Sequence, residues 1–589
     1  MALDLTPEQK ATGKANFDQA AGDLARNGQM NSLVVGGSAD TKGKPDRRDF
    51  LKTGLAAGAV VPVSAAVYFG YHSWTGNKAV KTALIGCGDE GGVLVGDHNP
   101  EFNEIVAVCD IRPSNRERIF KGDTGPRKGL NKVYGEATAK GIKSFDSLDA
   151  LLAEKDKLGL EMVVIATPLN THDVIAKKCM DAGLHVLCEK LMARSITKCK
   201  EMIKYAKEKG VLLNIGHQRH YSTLYAQALE VVNAGVLGDI KHIKAQWPRN
   251  NSWPFTPTKE QREKFAPGID VPFYKDGWYK EVLKVDADAL PSDKLAALAF
   301  GDVEQYGFKN IQELVRWRCY DKTGGGLMAE LGSHQLDASS IILGHVHPLA
   351  VQGIGGKFFY GPGRNDRESD DGVFVNYEFP GPKHPKAGKG GNDPNDIVVV
   401  SYESFNTNSF EDYGECIMGS RGTMIISKEA DVYLYKEPEP AKPASGGKET
   451  KITVATADGK KPAMEATSTW GGGGAVASTG KAGGSSGWDS AVRGYRTEME
   501  HFAYCIRKWQ EMKQKVSYEG ERDASGHLKL KYADILPRCH GEVAMADAII
   551  ALTANMAMAK KERIVFEESW FNSDSPDVPE TKHGPKKTA

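Results

Sequence analysis

The stretch AVKTALIGCGDEGG (79–92) constrains the fold of this chain more than any other. An apolar run ends in Gly86, Gly88 and Gly91 at G-x-G-x-x-G spacing. Gly86 permits a tight turn, Gly88 lets backbone approach a pyrophosphate, and Gly91 lets the next helix pack on the strand with its N-terminus toward the phosphates. Three glycines alone are a weak signal. Their weight comes from the flanking strand and helix, and from a second strand, EIVAVCD (104–110), that ends in Asp110 where a carboxylate accepts ribose hydroxyls. Asp110 favours NAD because it would repel a 2′-phosphate, while Arg112, two residues on, leaves NADP open.

Further strands are expected at 160–168, 185–190 and 211–218, alternating with helices over 144–156, 172–183 and 196–210. Alternation of this length predicts a parallel, doubly wound sheet over 78–217. From residue 218 to 571 the pattern changes to longer strands of alternating polarity: 240–247, 349–358, 372–379, 396–405, 415–427 and 431–437. These predict a second, α+β domain with a large open, mostly antiparallel sheet. Residues 438–488, rich in Gly, Ser, Lys, Pro and Thr, read as a mobile surface insertion, and 572–589 as a tail. Helices follow the insertion at 495–513 and 541–561.

Lys plus Arg and Asp plus Glu both total 76, so no global field favours nucleic acid. Nine cysteines without close pairing read as buried thiols, and GHVHP (344–348) lacks a third metal partner, so no metal is expected. Residues 1–77 form a polar tail and a targeting segment. RRDFLK (47–52), ahead of the charge-free run 53–74, resembles a Tat export signal, cleaved after Ala66 or kept as a membrane anchor. The expected location is periplasmic, or anchored facing the periplasm.

At the C-terminal edge of the parallel sheet, where ligands of such folds bind, Thr167, Pro168, Asn170 and His172 follow one strand, and Glu189 and Lys190 leave the next. His172 is either a helix-start residue or a cofactor contact. Glu330, His334 and Asp337 fall three and four apart on one predicted helix face. A carboxylate one turn from a histidine orients its ring and raises its basicity, as a general base for an alcohol proton requires. Arg219 is either a substrate contact or an exposed arginine. Trp247, Arg249 and Asn250 leave a second-domain strand and offer an aromatic face and polar groups suited to a carbohydrate.

GCGDEG (86–91), ATPLNTH (166–172), CEKLM (188–192), GHQRH (216–220) and GGGLMAELGSHQLD (324–337) together resemble the Gfo/Idh/MocA family of nicotinamide-dependent oxidoreductases, from residue 79 to about 571. The resemblance implies that Lys190 lies between nicotinamide and substrate, and that Glu330 and His334 match the family's aspartate and histidine. Leu191 replaces the family's proline and Glu330 its aspartate. The implied activity is hydride transfer between tightly bound NAD, or NADP, and a sugar or polyol hydroxyl. A redox-neutral glycosidase and a non-catalytic sugar-binding protein are the alternatives. A homodimer or homotetramer is expected, because an open sheet leaves one face uncovered.

Overall fold

The structure is a computed structural model. It describes residues 5–26, 65–71, 78–123, 125–249, 253–255, 273–275, 277–297, 308–360, 367–437, 454–455, 463–464, 493–512 and 535–584. The chain opens with helix α1 (Pro7–Arg26). RRDFLK and the apolar residues to 64 lie outside the described residues, as does the 438–488 insertion apart from two short paired strands.

Six parallel strands form the first sheet: β1 (Val80–Ile85), β2 (Asn103–Cys109), β3 (Lys143–Phe145), β4 (Met162–Ile165), β5 (His185–Glu189) and β6 (Leu213–Gly216). Helices α2 (Asp89–Asp97), α3 (His172–Asp181) and α4 (Ile196–Lys209) belong to the same unit. β4 and β5 are buried at every position, which is why their sequences run apolar instead of alternating. The Ser195 side chain accepts from the Lys198 N–H to start α4, and left-handed Gly210 stops it. Strand order is β3-β2-β1-β4-β5-β6, so the winding reverses between β1 and β4 and opens a crevice beyond their C-terminal ends.

The helix expected over 144–156 is corrected. Lys143–Phe145 pair with β2, and the helix begins only at Leu148, after Ser147 accepts a hydrogen bond from the Ala150 N–H. A hydroxyl that caps a helix here prevents the helix from extending back through it.

The second sheet contains β7 (Ile240–Gln246), then, beyond helix α5 (Ser333–Leu343), β8 (Ala350–Gly356), β9 (Gly372–Pro380), β10 (Ile397–Phe405), β11 (Gly414–Gly419), β12 (Gly422–Ser427) and β13 (Asp431–Lys436). Helices α6 (Tyr495–Met512) and α7 (Gly541–Lys560) follow, and β14 (Ile564–Val565) closes the order β13-β12-β11-β7-β10-β9-β8-β14. Neighbours are antiparallel except β7 and β10. The single strand expected at 415–427 is a hairpin, because Gly419, Ser420 and Gly422 make a turn inside it.

Tyr377 of β9 donates its hydroxyl to the Ile550 carbonyl at 3.1 Å and ties the sheet to α7. Among the described residues α7 is the one helix long and apolar enough to cross a membrane, but 78% of its apolar window is buried inside the domain. All nine cysteines are free and buried, as expected.

Two N-terminal segments also pack on this body. In α1, Asn16 donates to the Leu434 carbonyl of β13 at 2.9 Å, and Tyr435 donates to the Gln9 carbonyl at 2.8 Å. Tyr68, Phe69 and Tyr71 are buried, with hydroxyls donating to Glu230 (2.6 Å) and Glu500 (2.7 Å). A membrane anchor using the whole run 53–74 would have to withdraw these rings. Residues 53–64 alone fall short of the about 20 apolar residues that span a bilayer.

Candidate active site

A cavity of about 840 Å³ lies at the crevice between β1 and β4 and reaches into the second domain. That volume is large enough to bury a drug-sized ligand or larger.

The cavity floor is the glycine turn. Gly86 has φ +96°, and a Cβ there would lie 2.3 Å from the Ala166 carbonyl oxygen at the end of β4. Only glycine tolerates both conditions. A Cβ on Gly91 would lie 2.1 Å from the Gly86 oxygen, so α2 packs directly on the turn, whereas one on Gly88 would meet nothing within 4 Å. This open cradle fits a pyrophosphate. Asp110 rims it: Oδ2 accepts from the Cys87 N–H (2.8 Å) and Asn115 Nδ2 (3.0 Å), and Oδ1 accepts from the Arg112 N–H (2.8 Å). Oδ1 keeps a lone pair for a ribose hydroxyl. The Arg112 guanidinium, which left NADP open, lines the cavity while its Nε and Nη2 donate to Asp286 at 3.0 and 2.9 Å, and this carboxylate is fully buried.

Thr167, Pro168, Thr171 and His172 line the next wall. Asn170 does not, which corrects its expected cofactor contact. It sits in the 3₁₀ turn Leu169–Thr171, its N–H donates to the Thr323 carbonyl at 3.3 Å, and its amide is buried without a hydrogen-bond partner. His172 fills neither expected role alone. Its ring nitrogens meet the carbonyls of Thr167 and Leu191, both at 2.9 Å, so it fastens this turn to the end of β5 while facing the cavity. Burial holds its pKa below the ordinary histidine value.

β5 delivers Glu189 and Lys190 into the cavity. The Lys190–Leu191 peptide is cis, so the chain bends here with leucine in place of proline. Lys190 Nζ donates to the Glu330 carbonyl at 3.0 Å. Burial, with the nearby Glu90 carboxylate, pushes the Glu189 carboxyl well above its ordinary pKa.

Met328–Gly332 form a turn of π-helix ahead of α5. Glu330 and His334 both line the cavity, as their spacing implies, but the expectation that Glu330 orients His334 and that Asp337 shares their face is corrected by where the two carboxylates find partners. The Glu330 carboxylate accepts from Arg318 Nε at 2.6 Å. Burial pushes this carboxyl up, but Arg318 and Lys190 together hold its pKa below the ordinary value. Asp337 lies behind the cavity, its carboxylate accepting from His220 Nε2 at 2.7 Å.

His334 lines the cavity beside Trp247, ring centroids 5.6 Å apart, and Trp247 stacks on Tyr413 at 4.5 Å and 17°. Arg493 donates to the Tyr413 hydroxyl at 2.7 Å, and Arg249 lies over the Trp278 ring. Asn250 lies outside the described residues. Arg219 does not reach the cavity, which corrects both expectations for it. It is fully buried between Glu415 (2.9 Å) and Glu429 (2.6 Å), and donates to the His334 carbonyl at 2.5 Å. The 3₁₀ turn Gln218–Tyr221 carries it inward.

Burial, then the positive charges of Lys190, Arg219, His217 and Arg493, hold the His334 pKa well below 6.5. The neutral, proton-accepting ring therefore persists below that pH. If His334 is a general base, kcat/KM should stay level from pH 8 to below 6.5, as a pH–rate profile would check. An acidic limb centred at about 6.5 or higher would exclude it.

Residues 80–217 match the Gfo/Idh/MocA domain described as "oxidoreductase family, NAD-binding Rossmann fold", and 302–517 match the family's C-terminal alpha/beta domain. An uncharacterized oxidoreductase of Schizosaccharomyces pombe is 31% identical over 170 residues, covering 29% of this chain and 42% of the relative. A glycosyl hydrolase family 109 protein of Stenotrophomonas maltophilia is 27% identical over 202 residues, covering 34% and 41%. The chain thus spans less than half the length of each. An inositol dehydrogenase homolog of Azotobacter vinelandii, solved with NADH and myo-inositol, has the same fold: TM-score 0.50, 14% identity, covering 83% of this chain and 98% of that one.

Proposed function

Because the chain belongs to the Gfo/Idh/MocA oxidoreductase family, we propose that it transfers a hydride between NAD and a hydroxyl-bearing carbon of a sugar or polyol. The observation that carries this reading is that Lys190 and His334 line one cavity with the Gly86–Gly88 turn and Asp110.

When bound, the nicotinamide supplies a two-electron hydride acceptor and donor. Gly86, Gly88 and Asp110 bind the dinucleotide, and the Thr167–His172 wall limits where it lies. His334 takes the hydroxyl proton at a ring nitrogen. The Lys190 ammonium stabilises the oxygen as negative charge develops on it. Glu330 holds Lys190 through its carbonyl and Arg318 through its carboxylate. The stacked Trp247–Tyr413 pair offers a sugar ring an apolar face, and Arg249 a polar contact.

A second reading is favoured by the family 109 glycosyl hydrolase relative. In this redox-neutral glycosidase a sugar hydroxyl is oxidised transiently by loss of a hydride, the acidified neighbouring C–H loses its proton, the glycosidic oxygen leaves with its bonding electrons, water adds across the resulting double bond, and the hydride returns to the carbonyl carbon. Export directed by Arg47 and Arg48 belongs to both readings. Outside the cytoplasm no NAD(H) pool recycles a diffusible cofactor, so the cofactor would be tightly held.

The test is to purify the protein from the periplasmic fraction, denature a sample to release nicotinamide, and incubate the rest with sugars and aryl glycosides. Released cofactor with net oxidation of a sugar or polyol supports the dehydrogenase. Released aglycone without net NADH supports the glycosidase, and a protein unable to bind NAD(H) overturns both.

The homodimer is proposed on the open sheet face, where cross-strand partners Ile354 and Phe374 are 67% and 41% exposed. Phe374→Glu should halve the mass seen by light scattering; an unchanged oligomer, or a wild-type monomer, removes this contact.

A further inference from the structure

Behind the cavity, on residues that do not line it, lies a second cluster of buried polar groups. His217 and His220 come from the turn after β6, Asp337 from α5, Cys539 from the approach to α7, and Asp547 from α7 itself. One ligand atom each from His220, Cys539 and Asp547 lie within 4.8 Å of one another, and so do those from His217, Asp337 and Asp547. His217 Nδ1 is 3.8 Å from Asp337 Oδ2, and His220 Nε2 is 4.0 Å from Asp547 Oδ2.

The cluster leaves buried groups unsatisfied. His217 has no exposed surface, and neither of its ring nitrogens has a hydrogen-bond partner; without an ion, burial and the neighbouring Asp337 push the Asp547 carboxyl well above its ordinary pKa, so the two carboxyls share a proton. Two carboxyls, Asp337 and Asp547, are buried within the same small volume. Orphaned buried donors and acceptors are rare in folded proteins, and adjacent buried carboxylates are costly without a compensating cation.

We propose that this cluster binds one divalent transition-metal ion of the zinc type. His220, Cys539 and Asp547 form one triad of ligands and His217, Asp337 and Asp547 the other, with Asp547 common to both. A mixed imidazole, thiolate and carboxylate set suits a borderline-soft ion such as zinc better than the hard ions calcium or magnesium. Three donors at most 4.8 Å apart leave an ion no more than about 2.8 Å from each, so side-chain rotation suffices to reach bonds of 2.0–2.3 Å. The ion would satisfy the His217 ring and bring positive charge between the two carboxylates in place of that proton.

Its place in the fold gives it a structural task. Asp337 lies one turn beyond His334 on α5, so the ion would pin that helix to α7 and to the turn 217–220. It touches no substrate, and the inference does not depend on which reaction the cavity performs. The expectation of no metal rested on sequence spacing, and the five residues here are spread over more than half the chain.

The full-length protein, purified without chelator, is assayed for metals by mass spectrometry and for melting temperature with and without a chelator. About one equivalent of zinc, and a lower melting temperature after its removal, are expected. Protein from cobalt-supplemented medium should show a near-ultraviolet thiolate-to-cobalt band, lost in Cys539→Ser. If that variant does not fold, the wild-type metal content and cobalt spectrum decide alone. A folded, NAD-binding protein without a stoichiometric transition metal, or a cobalt band unchanged in Cys539→Ser, overturns the proposal.

Discussion

Lys190→Met is expected to lower kcat by about 10²–10³-fold, the usual loss when one preorganised donor to a developing oxyanion is removed. Cofactor should remain bound, because the glycine turn and Asp110 lie on other strands and none of their contacts passes through Lys190. Steady-state turnover together with nicotinamide release on denaturation separates the two effects. Loss of turnover with cofactor retained is the expected pair of results. Turnover near the wild-type level would remove Lys190 from the chemistry, and loss of cofactor as well would make it chiefly a binding residue.

Arg219→Met should cost about 3–5 kcal/mol of folding stability, as removal of one partner from a buried ion pair does. The side chains of Arg219 and Glu415 have no exposed surface and that of Glu429 has 3%. Burial already lifts the Glu415 pKa to about 7, so without the guanidinium this carboxyl would take up a proton to avoid being a bare buried charge. Denaturant unfolding at pH 7.5 measures the loss, and adding Glu415→Gln and Glu429→Gln should recover much of it. A stable Arg219→Met protein with only a raised KM would instead return Arg219 to the substrate.

Local patterns account for what was legible in the sequence. The glycine turn, Asp110 and the strand ending at Lys190 each announce themselves within a dozen residues, because the steric needs of a strand–turn–helix unit fall on neighbours in the chain. His334 was legible through its glycine-rich approach. The partners that complete the cavity were not: Arg318, Tyr413, Arg493 and Tyr495 arrive from separate segments, and only tertiary packing joins them. Two side chains differ from expectation because their partners come from distant parts of the chain or from tertiary packing. The Glu330 carboxylate meets Arg318 and the Arg219 guanidinium meets Glu415 and Glu429, in place of His334 and the substrate. The Arg112–Asp286 pair was not legible, because its members lie 174 positions apart.

The docking of α1 on β13 bears on membrane topology. β13 is an edge strand of the second sheet, and α1 covers its flank, with Asn16 held on the Leu434 carbonyl. Arg47 and Arg48 stand between this helix and the rest of the fold. If the chain crosses a membrane at that point, α1 stays on the side of synthesis and the domains leave without it. The same gene product then exists as two different objects. One has its sheet edge capped. The other carries Tyr433, Tyr435 and the strand beside them bare, an open edge for another strand to join.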